Sequence, residues 1–154
     1  MITLLEDVLK RSYGTYVNAQ DFQLLDNVLS SWQSRKAAYN AVKQKETEIV
    51  EDALNSMRSG NRSDSKLLDD LGSEKCQRDL TLGLRYCALA MLLQDDELLK
   101  DRFLYWQQNI LSAMQHNYPG YKLLGQAVKS KLPIKQAEFL VPYLDMAEEM
   151  INGK

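Results

Sequence analysis

Apolar residues recur at intervals of three and four along nearly the whole chain. Nowhere do they alternate for long with the period of two that a strand needs. That pattern restricts the chain to an all-α fold. Ile2, Leu5, Val8 and Leu9 form a first short stripe, interrupted at Tyr13, Gly14 and Tyr16. Asn18 or Asp21 is placed to cap a second helix bearing Phe22, Leu25, Val28, Leu29 and Trp32. A third segment, about 34–57, turns Ala38, Ala41, Val42, Ile49, Ala53 and Leu54 inward. Residues 58–72 are the one long break, with loop chemistry at 59–65 and a helical turn at 66–71.

The next helix starts near Ser73 and carries Cys76, Leu80, Leu84, Cys87 and Met91. Asp95 is spaced to cap a further helix, with Asp96 and Glu97 in its positive first turn. Asn117-Tyr118-Pro119-Gly120 breaks that helix, and a short one with Leu124 and Val128 follows. Pro133 opens a last helix to about Ile151, with Pro142 inside it as an expected kink. Seven or eight helices of unequal length disfavour an up-down bundle and fit a globin-like arrangement.

The chain is 154 residues long, enough for one domain with a sizeable core. Nineteen basic residues stand against twenty-one acidic ones, so no electrostatic excess is available to hold nucleic acid. Glu6 and Asp7 follow the first apolar residues at once, which spoils a signal peptide. The apolar run at 87–93 is too short to span a bilayer, so no integral membrane segment is expected. On one helix Cys76 and Cys87 would lie roughly 16 Å apart, too far for an internal disulfide. A reducing, cytoplasmic compartment is expected.

The concentrated chemistry is the tetrad Cys76-Gln77-Arg78-Asp79. Cys76 and Asp79 are three apart and share a helix face, with Arg78 on the flank. Partial positive charge at the helix N-terminus is expected to favour the thiolate. Read alone, the tetrad fits a buried cysteine beside an exposed charge pair better than a site, because short motifs match by chance.

The surrounding residues change that balance. Cys76-x-Arg78-Asp79-Leu80, Leu84-Arg85-Tyr86, Ala90-Met91-Leu92, Asp95, Leu99 and Arg102 follow one another in order. This series resembles the central helices of the phycobiliproteins, globin-fold light-harvesting proteins of cyanobacteria and red algae. Gly14-Thr15-Tyr16, Arg35-x-Ala37-Ala38 and Tyr143-Leu144-Asp145 extend the resemblance over most of the chain. It implies a globin-like, phycobiliprotein-type fold over 1–154, with a helical extension at 1–32 and a globin core at 33–154. It implies a linear tetrapyrrole (bilin) as cofactor, with Cys76 as thioether attachment site, Arg78 paired to a propionate, and Asp79 accepting from the pyrrole N–H groups.

The departures from the family pattern are as informative. Leu82 and Gly83 stand where aromatic residues are usual, and Leu89 stands near the place of a later tyrosine. Of the residues just before the cysteine, only Lys75 can help hold the second propionate. Trp106 replaces a usual glycine and is expected to fill space that a bilin ring needs. Arg11 stands where the family carries an aspartate that pairs across the subunit interface with the arginine matched by Arg85. Two facing guanidinium groups would repel, which disfavours the usual heterodimer unless Glu6 or Asp7 substitutes, and leaves a homodimer open.

The expectation is therefore a non-enzymatic accessory globin serving bilin production, bilin handling or phycobilisome maintenance. Its expected partners are bilin-pathway or phycobilisome proteins, at the cytoplasmic face of the thylakoid if membrane-associated. The alternative is a light-harvesting subunit with bilin linked to Cys76. His116 is the only histidine, and neither haem nor a metal is expected. Tyr118 and Tyr121 flank Pro119-Gly120 and are expected to be exposed.

Overall fold

The computed structural model describes residues 1–113 and 117–153. Among them every regular element is helical: α1 Ile2–Arg11, α2 Ala19–Ser30, α3 Trp32–Ser59, α4 Arg62–Leu71, α5 Ser73–Leu93, α6 Asp96–Leu99, α7 Tyr105–Ser112, α8 Gly120–Lys131 and α9 Ile134–Ile151. A π-helical turn, Lys100–Leu104, joins α6 to α7. His116 falls outside the described residues.

The core is built where the long helices meet. α3 packs chiefly on α5 and α8, and α9 closes over α8 and α5. Ile49, Ala53 and Met57 from α3, Leu80, Leu84 and Met91 from α5, Leu124 and Val128 from α8, and Leu140 and Leu144 from α9 are almost fully buried. Burial of this apolar set is the main drive to fold. The all-α, globin-like expectation holds.

The start signals act as anticipated at two helices. Asn18 caps α2 by accepting from Asp21 N–H at 2.8 Å. Asp95 accepts from Leu98 N–H at 3.0 Å at the head of α6. Asp21, the other cap candidate, is instead buried and paired with Arg11 at 2.6 Å. The segment after α3 differs from expectation. In place of one turn, residues 62–71 form a complete helix, because Asn61 caps it through Asp64 N–H at 2.9 Å and Leu67 and Leu68 bury its inner face.

Arg35 explains how three helix ends meet. Its side chain is 2 % exposed. It donates to Val28 C=O in the last turn of α2, to Leu92 C=O in the last turn of α5, and to Ser31 Oγ. A buried cation is costly. Here it is spread over carbonyls at the negative ends of two helices, which offsets part of that cost.

Candidate functional site

The tetrad lies in the first two turns of α5. Gly72, at φ +85°, turns the chain from α4 into this helix, and Gly72 C=O accepts from Cys76 N–H at 3.1 Å. Arg58 at the end of α3 donates to Ser73 Oγ at 2.8 Å and ties the two helices together. The three-residue spacing works as expected: Cys76 and Asp79 point to the same side, and Lys75 and Arg78 stand in solvent. The structure thus joins the thiol and the carboxyl, and leaves both cations at the rim.

Cys76 is only 1 % exposed. Burial pushes its thiol pKa up, and Asp79 pushes it the same way against a smaller opposing effect of Lys75. The expected thiolate is therefore not favoured. The helix N-terminus supplies partial positive charge, but desolvation of the charged form outweighs it. Asp79 is half-buried, and burial raises its pKa while Arg78 and Lys75 act in opposition. Among the described residues its carboxylate makes no side-chain hydrogen bond.

Two tyrosines lie in the interior nearby, and both were expected at the surface. Tyr118 and Tyr121 are 3 % and 1 % exposed. Their rings meet edge to face with centroids 5.9 Å apart. Tyr121 lies against Gly83, where an added Cβ would come within 3.0 Å of the ring. The missing family aromatic at position 83 is thus exchanged for a ring arriving from α8. Tyr121 donates its hydroxyl hydrogen to Gln107 Oε1. The Tyr118 hydroxyl is buried without a hydrogen-bond partner among the described residues. It is near enough to Asp79 and Cys76 for negative charge on either to raise its pKa, beyond the larger effect of its own burial.

The backbone of Tyr118 is held by one side chain. Tyr118 N–H donates to Asn152 Oδ1 at 2.8 Å, and Asn152 Nδ2 donates to Tyr118 C=O at 2.9 Å. Gly120 makes room for the ring, since a Cβ there would fall 2.4 Å from it. Sequence reasoning passed over Tyr118, Tyr121, Gln107 and Asn152. The available signal was the pair of glycines, Gly83 and Gly120, each of which admits one of the two rings.

Trp106 is the residue expected to fill space that a bilin ring needs. It is 57 % exposed, at the end of a row in which Tyr86 stacks on Phe103 at 4.3 Å and Phe103 tilts toward Trp106 at 6.2 Å. The π-helical turn sets Phe103 inward onto Tyr86; such turns recur at functional sites. Leu82 and Leu89 lie one turn to either side of Tyr86 and are partly exposed. An apolar shelf therefore runs along α5 and α7 beside the charged rim of Arg78.

Within the chain, each of the guanidinium groups of Arg11 and Arg85 has its own carboxylate. Arg11 grips Asp21, and Arg85 grips Glu46 through two bonds of 2.7 and 2.8 Å. A cleft of about 460 Å³ is bounded by Arg35, Gln94, Phe139 and Tyr143, far along α5 from the tetrad.

These residues fit a bilin in part. Exposed Arg78 and Lys75 suit carboxylates, and the unbonded Asp79 carboxylate suits N–H donors. The thiol does not fit a thioether in this conformation, because only 1 % of Cys76 is exposed. A family model described as phycobilisome protein matches residues 11–151. No curated protein matches the chain. With a match over nearly its full length and an all-helical, globin-like architecture, this chain belongs to the phycobilisome protein family.

Proposed function

We propose that this protein is an accessory member of the family, acting in bilin handling or phycobilisome maintenance, and that it holds a linear tetrapyrrole reversibly. The observation that carries this reading is the 1 % exposure of Cys76. A protein made to carry a permanently linked pigment would present that thiol. When bound, the tetrapyrrole supplies visible absorption. The chain supplies Arg78 and Lys75 for its carboxylates, Asp79 for its N–H groups, and the Tyr86–Phe103–Trp106 shelf for its flat apolar faces.

The partner class is phycobilisome or bilin-pathway proteins, in the cytoplasm or at the cytoplasmic face of the thylakoid. No helix among the described residues is long and apolar enough to cross a membrane. Leu9, Tyr13, Phe22 and Leu29 leave the outer face of α1 and α2 largely apolar and exposed, which supports association with another family subunit or a second copy.

A second reading remains: a light-harvesting subunit with bilin linked to Cys76, favoured by the intact Cys76-x-Arg78-Asp79. The two separate in one titration. Purified protein is mixed with a linear tetrapyrrole, and visible absorption is followed before and after denaturation. Reversible binding gives an absorption change that disappears on denaturation and weakens severalfold in Arg78→Ala. Colour that survives denaturation and is lost in Cys76→Ala selects the antenna reading. No absorption change at all contradicts both.

A further inference from the structure

We infer that the cleft between α3, α5 and α9 binds an apolar monoanion, with Arg35 and Tyr143 holding its charged head. This goes beyond the proposed tetrapyrrole site, which lies at the other end of α5. The cleft volume of about 460 Å³ is in the range of small-molecule pockets. Met91 and Arg35 are its most buried lining residues, at 0 % and 2 % exposure. Phe139 and Met146 form partly buried walls, and Asp96 and Glu138 stand exposed at the rim.

Arg35 is the reason to expect an anion. Each guanidinium nitrogen is bonded once, to Ser31 Oγ at 3.0 Å, to Val28 C=O and to Leu92 C=O. A guanidinium has five N–H donors, so two remain. The three acceptors are neutral, and no ion pair among the described residues includes Arg35. Helix ends carry only partial charge, so a buried cation lines this cleft without a counter-ion. Tyr143 is half-buried in the same cleft, and burial pushes its phenol up to about 12, which keeps it a neutral O–H donor at neutral pH. A carboxylate accepts from both kinds of donor. Met91, Phe139 and Met146 then receive an alkyl or aryl body. The rim sets the charge of the ligand. Asp96 and Glu138 repel an anion in proportion to its charge, which disfavours polyanions. A cationic ligand would gain the rim but meet Arg35 beneath it.

Trp32 provides the readout, because its ring centroid lies 5.6 Å from Arg35 Cζ. The chain has two tryptophans, so Trp106→Phe leaves Trp32 as the sole reporter. Octanoate is titrated into the full chain in that background at low ionic strength. Octan-1-ol and octylammonium serve as its neutral and cationic matches. Octanoate is expected to change Trp32 fluorescence saturably and to bind at least tenfold more tightly than either match. Tyr143→Phe keeps the ring, removes the hydroxyl and should weaken octanoate severalfold. Glu138→Gln removes a rim charge and should tighten it severalfold, an effect that fades with added salt.

The proposal is overturned if octanoate gives no saturable change, or if octan-1-ol or octylammonium binds as tightly. It is also overturned if either substitution fails to move the octanoate affinity in its stated direction. The opposite signs separate a lost head-group contact from a general loosening of the fold, which would weaken binding in both variants. No pigment enters this assay, and neither substitution touches the tetrad. Its failure is therefore distinguished from failed bilin binding, which the tetrapyrrole titration reads.

Discussion

The two ends of α5 are built to different rules. At its C-terminal end the buried polar groups among the described residues are paired. Leu92 C=O receives Arg35, and Asp95 accepts from Thr3 N–H at 2.8 Å, Thr3 Oγ1 at 2.8 Å and Leu98 N–H at 3.0 Å. At its N-terminal end a thiol, a carboxyl and a phenol are buried or half-buried close together without hydrogen bonds. The same helix thus has one end fixed for stability and one end left chemically open. Unpaired polar groups cost stability, so their concentration at one end marks where function is the better explanation.

The largest test of this contrast is Arg35→Lys. An ammonium cannot fork to two carbonyls at once, so at least one buried C=O loses its partner. A loss of about 3 kcal/mol is expected in denaturant unfolding, with unchanged slope. The matched change Arg85→Lys, at an exposed pair, should leave the unfolding midpoint nearly unchanged. Equal losses would erase the distinction between a clamp and a surface pair.

Asp95 and Asp79 should respond to pH in opposite directions. Burial pushes the Asp95 carboxyl up, but bonds from Thr3 and Leu98 outweigh it and hold the pKa below the usual range. Its contribution is therefore present above the unfolded pKa and lost as pH falls through the folded value. Asp95→Ala should cost about 2 kcal/mol at neutral pH, and less in acid. The Asp79 pKa is raised, chiefly by burial. Its contribution is present below the unfolded pKa and lost as pH rises through the folded value. Asp79→Asn should therefore gain up to about 1 kcal/mol at neutral pH and nothing in acid. Melting curves at two pH values read both; a loss of stability in Asp79→Asn at neutral pH would mean that this end is paired after all.

Gly83→Ala is a smaller test of the buried tyrosines than Arg35→Lys is of the clamp. A methyl group 3.0 Å from the Tyr121 ring forces that ring to shift, at about 1–2 kcal/mol. Tyrosine fluorescence should change with it. A neutral substitution would show that Tyr121 packs loosely.

Much of this architecture was legible in the sequence, because helical period and cap chemistry are local. Asn18, Asp95 and the inward stripe of α5 could be read directly. α4 was under-read because its cap, Asn61, stands among loop residues and its apolar face is narrow. The site was legible only in its linear part. The spacing of Cys76 and Asp79 places them on one face whatever surrounds them, but the state of the thiol depends on how deeply the folded chain buries it. A turn rich in Asn, Pro and Gly reads as exposed. Burial of its tyrosines follows from Gly83, Gly120 and Asn152, which have meaning only once α5, α8 and α9 are packed.

The most direct measurement is the intact mass of the protein purified after co-expression with a bilin source and a lyase. A sealed Cys76 predicts a chain of 17.7 kDa carrying no added tetrapyrrole, even from a coloured preparation. A chain heavier by one tetrapyrrole, with the added mass located on Cys76, would contradict it.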